Sequence, residues 1–390
     1  MYEKKSGDEL TSILREVLKF NTLIYRYLLL YLGNKFYIIN FMSKAYKSQG
    51  KKGLFDEQFA VSHLSEMGNP IESISKVVDF EIFRAILELR LLNNTKKNNA
   101  GAKPFDVVMM FKIMILQRYY NLGDKQVEYQ IVDRVSFKKF LGLETGDKVP
   151  DEKTIWAFRE RLTQTASVEE LFELFISHLG EKRLIFNEGQ IIDASFMEIP
   201  RQRNTREESK IIKDESGDDL WNDRPHKKRH KDIDARWVKK NGETFYGYKN
   251  NVKVDAKSKI IGTYYVSDAA VHDSQVLELL LTEKDENQTL HADSAYTGPI
   301  QEETISKHKM INNVHEKGYK NKPMTEEQKT NNTIKSKIRA RVEHVFGFME
   351  QSMNCMYIWS VGMPRATATI GLINLTYNIF RYEQLIRTTA

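Results

Sequence analysis

Two aspartates and a glutamate stand where acidic side chains are costly. Asp193 interrupts the apolar run Ile191-Ile192-Asp193-Ala194-Ser195, and Asp293 ends another, Leu290-His291-Ala292-Asp293-Ser294-Ala295-Tyr296. An aspartate in a buried strand costs several kcal/mol unless it is paired or bound to metal. Glu343 falls inside the helical stretch Ile338–Phe346. Ligands of open α/β sheets collect at the carboxyl ends of strands, and both aspartates are expected there. Carboxylates from two strands and one helix can converge at a sheet edge, and such a hard oxygen set suits Mg²⁺. Two divalent ions roughly 3.5–4 Å apart activate the attacking oxygen, neutralise phosphate charge and stabilise the leaving oxygen, the three needs of phosphodiester cleavage. Asp193 would bridge the ions, with Asp293 and Glu343 each holding one. Each acid also has a plainer reading: Asp193 as a strand-end turn former, Asp293 as a helix N-cap, Glu343 as the partner of Arg339 one turn earlier.

Basic and aromatic residues gather around these acids. Lys335, Arg339 and Glu343 follow at i, i+4, i+8, which puts two cations on the face of the glutamate. Arg341 in the same stretch is a further candidate for contact with DNA, and phosphate contacts of this kind position DNA. Tyr246 and Tyr248 alternate along a strand with Lys249 next to them; they are either DNA contacts or half core. Trp237, between Arg236 and Lys239-Lys240, is a candidate for holding an unstacked base. His272-Asp273 is either an acid–base pair or, with Ser274, a helix cap. Lys153, Arg159 and Arg161 would face DNA if the short helices of 124–162 form a helix-turn-helix, and plain packing or dimerisation is the alternative.

These residues need elements to carry them. Val78–Leu92 has helical spacing, Pro104 marks a helix start, and Phe105–Tyr120 is apolar nearly all round, as a buried helix is. Asp124–Val132, Phe137–Leu141 and Asp151–Leu162 give shorter helices. Ser167-Val168-Glu169-Glu170 has the capping-box pattern of a helix start. After Lys182 the period shortens. Strands are expected at Gln190–Ile199, Thr244–Asp255, Lys259–Val266, Thr289–Ala292 and Met310–Val314, with helices at Asp273–Leu281, Pro299–His308, Thr333–Met349 and Arg365–Ile386. That alternation describes an α/β layer fold, a mixed sheet flanked by helices.

The chain of 390 residues exceeds what one core usually supports. Three segments are expected: residues 1–41 as an N-terminal extension, 42–182 as a helical DNA-binding or dimerisation domain, and 183–390 as the catalytic domain. A single cysteine excludes an intramolecular disulfide framework or a multi-cysteine zinc site and fits a reducing cytoplasm. The net charge is only +6, but its distribution is uneven. Arg224–Lys253 holds ten Lys/Arg against three Asp/Glu, and Lys317–Arg341 eight against two. Such concentrated charge is the footprint of a polyanion binder. The apolar stretch Leu23–Leu32 is broken by Arg26 and is too short to span a membrane. No signal-peptide pattern surrounds it, and Met42 is a second candidate start.

The residues in order resemble a known family. Gly53-Leu54-Phe55-Asp56, Asn69-Pro70, Val78–Arg84, Ile192-Asp193-Ala194-Ser195, Asp232-Ile233-Asp234-Ala235-Arg236-Trp237, Tyr246-Gly247-Tyr248-Lys249-Asn250, Val271-His272-Asp273-Ser274-Gln275, Ala292–Tyr296 and Arg341–Gly347 together are similar to the bacterial insertion-sequence transposases of the DDE type, the Insertion Sequence 5 family. The resemblance runs from about Met42 onward. It implies an RNase H-like catalytic core with Asp193, Asp293 and Glu343 as the triad, Mg²⁺ or Mn²⁺ as cofactor, and an N-terminal helical domain that helps bind terminal inverted repeats. It further implies double-stranded DNA as partner, a homodimer or larger assembly on DNA, no membrane, and a cytoplasmic, nucleoid-associated location. An inactive DNA-binding relative and a nuclease without strand transfer are the rival readings.

Overall fold

The computed structural model describes residues 27–32, 35–40, 53, 56–91, 103–144, 146–214, 217–240, 242–319 and 322–389. The chain divides into Met1–Phe59 and Ala60–Ala390. In the first unit, β1 (Tyr27–Leu32) and β2 (Lys35–Asn40) pair antiparallel, Tyr27 opposite Asn40 and Leu32 opposite Lys35. Most of the apolar stretch from Leu23 is therefore strand, while Leu23–Arg26 lie outside the described residues. No described helix is long and apolar enough to cross a membrane.

Between Asp56 and Glu181 the described elements are all helices. Asn69 caps the helix Pro70–Val77, and Asp79 caps a short 3-10 turn, Phe80–Phe83, that leads into Arg84–Leu91. The single helix expected over Val78–Leu92 is thus a turn and a helix, begun by the Asp79 carboxylate. Asp106 accepts from the amides of Val108 and Met109 and starts Val107–Tyr119, so the start lies at this cap rather than at Pro104. The helix is buried almost all round, from Val107 to Gln117, as its apolar composition requires. The helices Asp124–Asp133, Val135–Leu141 and Glu152–Gln164 follow, then Ser167–Glu181. The capping box expected at Ser167 is absent. Ala166, in the left-handed region with φ 48°, holds the cap position, and the Ser167 hydroxyl meets that of Thr165 instead.

The six-stranded sheet is built on β3 (Gln190–Glu198) and β5 (Glu243–Asp255). They pair antiparallel from Gln190 opposite Asp255 to Glu198 opposite Gly247. On the far edge of β5 sit β4 (Arg236–Lys240), along its first half, and β6 (Ile261–Asp268), along the rest. On the other side of β3, β7 (Thr289–His291) and β8 (Ile311–Asn312) run parallel to it in turn. The helices Pro299–Lys307 and Glu326–Arg339 follow β7 and β8, and Met363–Thr389 closes the chain. Strand β4 and the helices Arg206–Lys213 and Pro225–Arg229 lie in a stretch whose sequence reads only as polar and basic.

Both faces of β3 are covered, which explains its near-continuous apolar run. Ile191 belongs to the larger core, shared by Phe83, Phe111 and Phe175 of the helical region, Val252 and Val254 of β5, and Ile373 and Phe380 of the last helix. Ile192, on the opposite face, packs with Leu277, Leu280, Leu290 and Tyr296. The helical region and the sheet therefore share one core across residue 182. Buried amides lock the last helix onto the strands: Asn374 and Asn250 exchange hydrogen bonds of 2.7 and 3.0 Å, and Asn378 serves both backbone groups of Ile261. At Gly247, φ is 146° and a Cβ would lie 2.3 Å from the Met197 carbonyl, so this crossing of β5 over β3 requires glycine.

Candidate active site

Asp193 is the fourth residue of β3, in mid-strand rather than at its carboxyl end as expected from sequence. Neighbouring β7 is registered to β3 by Gln190 opposite Leu290 and Ile191 opposite His291. Asp193 lies two residues further along β3 and Asp293 two residues past the last residue of β7, so the register brings the two acids to the same end of the β7 pairing. Asp193 Oδ1 accepts from the Ala194 amide at 2.9 Å, and Oδ2 accepts from Arg339 Nη1 at 3.0 Å. Burial pushes the Asp193 carboxyl up to about 6; the Asp293 charge adds to the rise, and the Ala194 amide, Arg339 and Lys240 oppose it.

The third acid arrives through Arg339. This arginine ends the helix Glu326–Arg339, and the chain continues through a 3-10 turn, Ala340–Val342, into Glu343–Gly347. Arg339 Nη2 lies 3.9 Å from Glu343 Oε1 while Nη1 holds Asp193, so one guanidinium links the strand acid to the helix acid. The Glu343 side chain is 66% exposed. The three acids are thus linked through Arg339 and the charge of Asp293 but do not share one coordination shell: among the described residues no three His, Cys, Asp or Glu side chains stand close enough to hold an ion. The donor types fit a hard divalent cation, and the desolvated Asp193 beside Asp293 has an excess of negative charge that a cation relieves. Arg339 supplies positive charge there, and its Nε is buried without a partner.

Two of the plainer readings of the acids are present together with this convergence. Asp293 caps the 3-10 turn Ser294–Tyr296 by accepting from the Ala295 amide at 2.8 Å, and Glu343 pairs with Arg339. Tyr296, which sequence reasoning passed over, is buried beneath this turn, and its hydroxyl lacks a hydrogen-bond partner. Burial and then the charges of Asp273, Asp193 and Asp293 hold its pKa well above the usual value. Asp273 is accordingly part of the same acidic neighbourhood. It does not cap the following turn, a role that falls to the His272 ring.

The expected DNA contacts separate into two groups. Tyr248 is fully buried and donates to both Asp232 oxygens at 2.9 and 2.7 Å; Lys249 is buried and holds Asp273 at 2.7 Å and the Val271 carbonyl. Neither is presented to a ligand at the surface, because the alternation of β5 turns Tyr248 into the larger core and Lys249 toward the acids of the opposite layer. Lys335 donates to the Val314 carbonyl and lies near Glu316; Arg341 donates to the Ala256 carbonyl, and Arg236 to that of Ile233. Trp237 is 49% exposed. In the helical region Arg159 is paired with Asp124, Arg161 reaches the Leu91 carbonyl, and Lys153 is exposed.

The motif Asp232–Trp237 is a clamp. Asp232, 1% exposed, accepts from Tyr248, from the amides of Asp234 and Ala235, and from the Gly362 amide at 2.8 Å. Asp234 accepts from the Met363 amide at 2.7 Å. Two carboxylates therefore meet the N-terminus of the helix Met363–Thr389, where unpaired amides and the helix dipole favour negative charge.

Comparison with known proteins adds the family. Residues 59–161 match the family described as Transposase domain (DUF772), and residues 186–379 match the Transposase DDE domain, a span that contains Asp193, Asp293 and Glu343. A cryo-EM structure of a piggyBac transposase synaptic complex with hairpin DNA is 11% identical, with 84% of this chain and 77% of that chain covered at a TM-score of 0.41.

Proposed function

The chain belongs to the DDE-type transposases, and from that premise we propose that it cuts the ends of its own insertion sequence and joins the freed 3′-hydroxyls to target DNA. The reading rests on one observation above all: Asp193 on β3 within reach of the charge of Asp293, which follows the end of the parallel strand β7, with Arg339 tying Asp193 to Glu343. In this reading the sheet is an RNase H-like core and the three acids are the triad.

Asp193, Asp293 and Glu343 would hold Mg²⁺ or Mn²⁺, which supplies activation of the attacking oxygen and stabilisation of the leaving one. The protein's own groups do the rest. Strand β3 carries Asp193 and the capped turn after β7 holds Asp293, while the exposed Glu343 side chain has room to change rotamer. Arg339 presents a planar, permanently charged donor at the same point, suited to a phosphate oxygen. Asp232 and Asp234 anchor the last helix beneath the sheet. The finer assignment is to the Insertion Sequence 5 family, with the terminal inverted repeats as ligand, the helices of 42–182 as the domain that helps bind them, and a homodimer or larger assembly holding two ends together near the nucleoid. Arg236, Trp237, Lys335, Arg339 and Arg341 are retained as candidates for DNA contact.

An inactive, DNA-binding protein is the second reading, favoured by the engagement of Arg339 with two of the acids. Incubation of the chain with Mg²⁺ and a DNA bearing both ends of the element decides between them. We expect nicks at the ends followed by joint molecules with target DNA. Nicks without joining would leave a nuclease, and binding without nicks would leave the inactive relative.

A further inference from the structure

Trp359 is 76% exposed, an unusual position for so large an apolar side chain. It does not stand alone. Its ring meets that of Tyr357, 39% exposed, edge to face at 5.2 Å. Tyr357 bridges to Glu198 at the end of β3, and the Arg201 charge acts on its phenol. The Arg201 guanidinium in turn lies 5.8 Å from the ring of Trp237, itself backed by Tyr246 at 4.6 Å. Lys239, exposed and two residues from Trp237, points to the same side of β4. Trp237, Arg201, Tyr357 and Trp359 therefore form a connected row of exposed rings and cations at the end of the sheet.

We propose that this row binds an unpaired DNA strand, with bases stacked on Trp237 and on the Tyr357–Trp359 pair and phosphates held by Arg201 and Lys239. The chemistry selects this occupant. A duplex hides its base faces in its own stack, so exposed rings gain little from it and only the cations would engage. A single strand offers a π-face at every base, and rings set along a positively charged track are what holds it. Glu198 is five residues beyond Asp193 on β3, about 17 Å along the strand. The row therefore lies a few nucleotides from the candidate active site. This placement rests on the transposase reading and fits DNA that has been opened beside the cleavage point; the binding itself does not depend on catalysis.

The test is the affinity of the full chain for a fluorescent oligothymidylate of fifteen nucleotides, compared with a duplex of the same length. The double variant Trp237→Ala/Trp359→Ala should lose about tenfold or more for the single strand and less than about twofold for the duplex. Trp359→Ala alone, at the more exposed site, should lose part of that without changing the thermal melt. Glu198→Gln, which removes a negative charge beside Tyr357, should tighten the single strand. Asp293→Asn should bind it as the parent does, so the site stands or falls separately from the catalytic assignment. Unchanged single-strand affinity in both tryptophan variants, or an equal loss for duplex, would overturn the proposal.

Discussion

Asp193→Asn is expected to destroy end cleavage and, at the same time, to make the DNA-free protein more stable. Both effects come from one cause, a carboxylate held where charge is costly. Burial pushes the Asp193 carboxyl up to about 6 in the folded chain, against 3.8 for a free side chain. Between those values the native state carries more protons than the unfolded one, so stability falls as pH rises through the window and stays lower above it. Asparagine carries no charge to desolvate, and its oxygen still accepts from Arg339. The variant should match the parent below about pH 4 and gain progressively to about 2–3 kcal/mol above pH 6, at roughly 1.4 kcal/mol for each pH interval of one between the two values. Cleavage should drop at least about a thousandfold, on the order of 4 kcal/mol of lost transition-state stabilisation, since a neutral amide is a poor ligand for a divalent ion. Melting curves from pH 4 to 8, read beside a nicking assay, check the two together. Equal stability at pH 8 would remove the claim that Asp193 is held in a state that a cation relieves.

Asp232→Ala is expected to have the largest effect on folding. The buried carboxylate is the meeting point of the Tyr248 hydroxyl and three backbone amides, one of them from Gly362 at the start of the last helix. Removal leaves these donors unsatisfied in a low-dielectric site, and the helix loses a negative charge at its N-terminus. The cost should be about 3–5 kcal/mol, the range found when one partner is taken from a buried charged network. Asp232→Asn should cost less, although every neighbour donates and the new NH₂ group must face one of them. Urea denaturation measures both, and a loss below about 1 kcal/mol for Asp232→Ala would show that the clamp does not hold the helix.

How legible these features were depends on what each signal measures. Periodicity reports burial, so the buried helix Val107–Tyr119 and the strand Gln190–Glu198 could be read within a residue or two. Hydrogen-bond partners leave a weaker mark. Ser167 has the residue pattern of a capping box, yet the left-handed Ala166 takes the cap, a choice made by the turn from the preceding helix. Tyr248 and Lys249 carry the residue types of a DNA contact. Their partners, Asp232 and Asp273, lie 16 and 24 residues away, and only the sheet brings them together. The same distance hid the role of Arg339. Its i, i+4 spacing to Glu343 was visible, whereas Asp193 lies 146 residues earlier in the chain. The aromatic row shows the limit most clearly: Trp237 stood out beside its basic neighbours, but Arg201, Tyr357 and Trp359 join it only through the ends of three separate segments.

The most direct measurement is Mg²⁺-dependent nicking by Asp293→Asn, run beside a gel-shift titration with the same end DNA. The pairing of β3 with β7 leads the chain to Asp293, whose charge acts on Asp193, and its Oδ1 contact to the Ala295 amide can be kept by asparagine. We predict binding within about threefold of the parent and no detectable nicking, since electrostatic attachment rests on the basic residues and cleavage on the acid pair. Nicking at the parental rate, with binding intact, would contradict the assignment of these acids to the cleavage site.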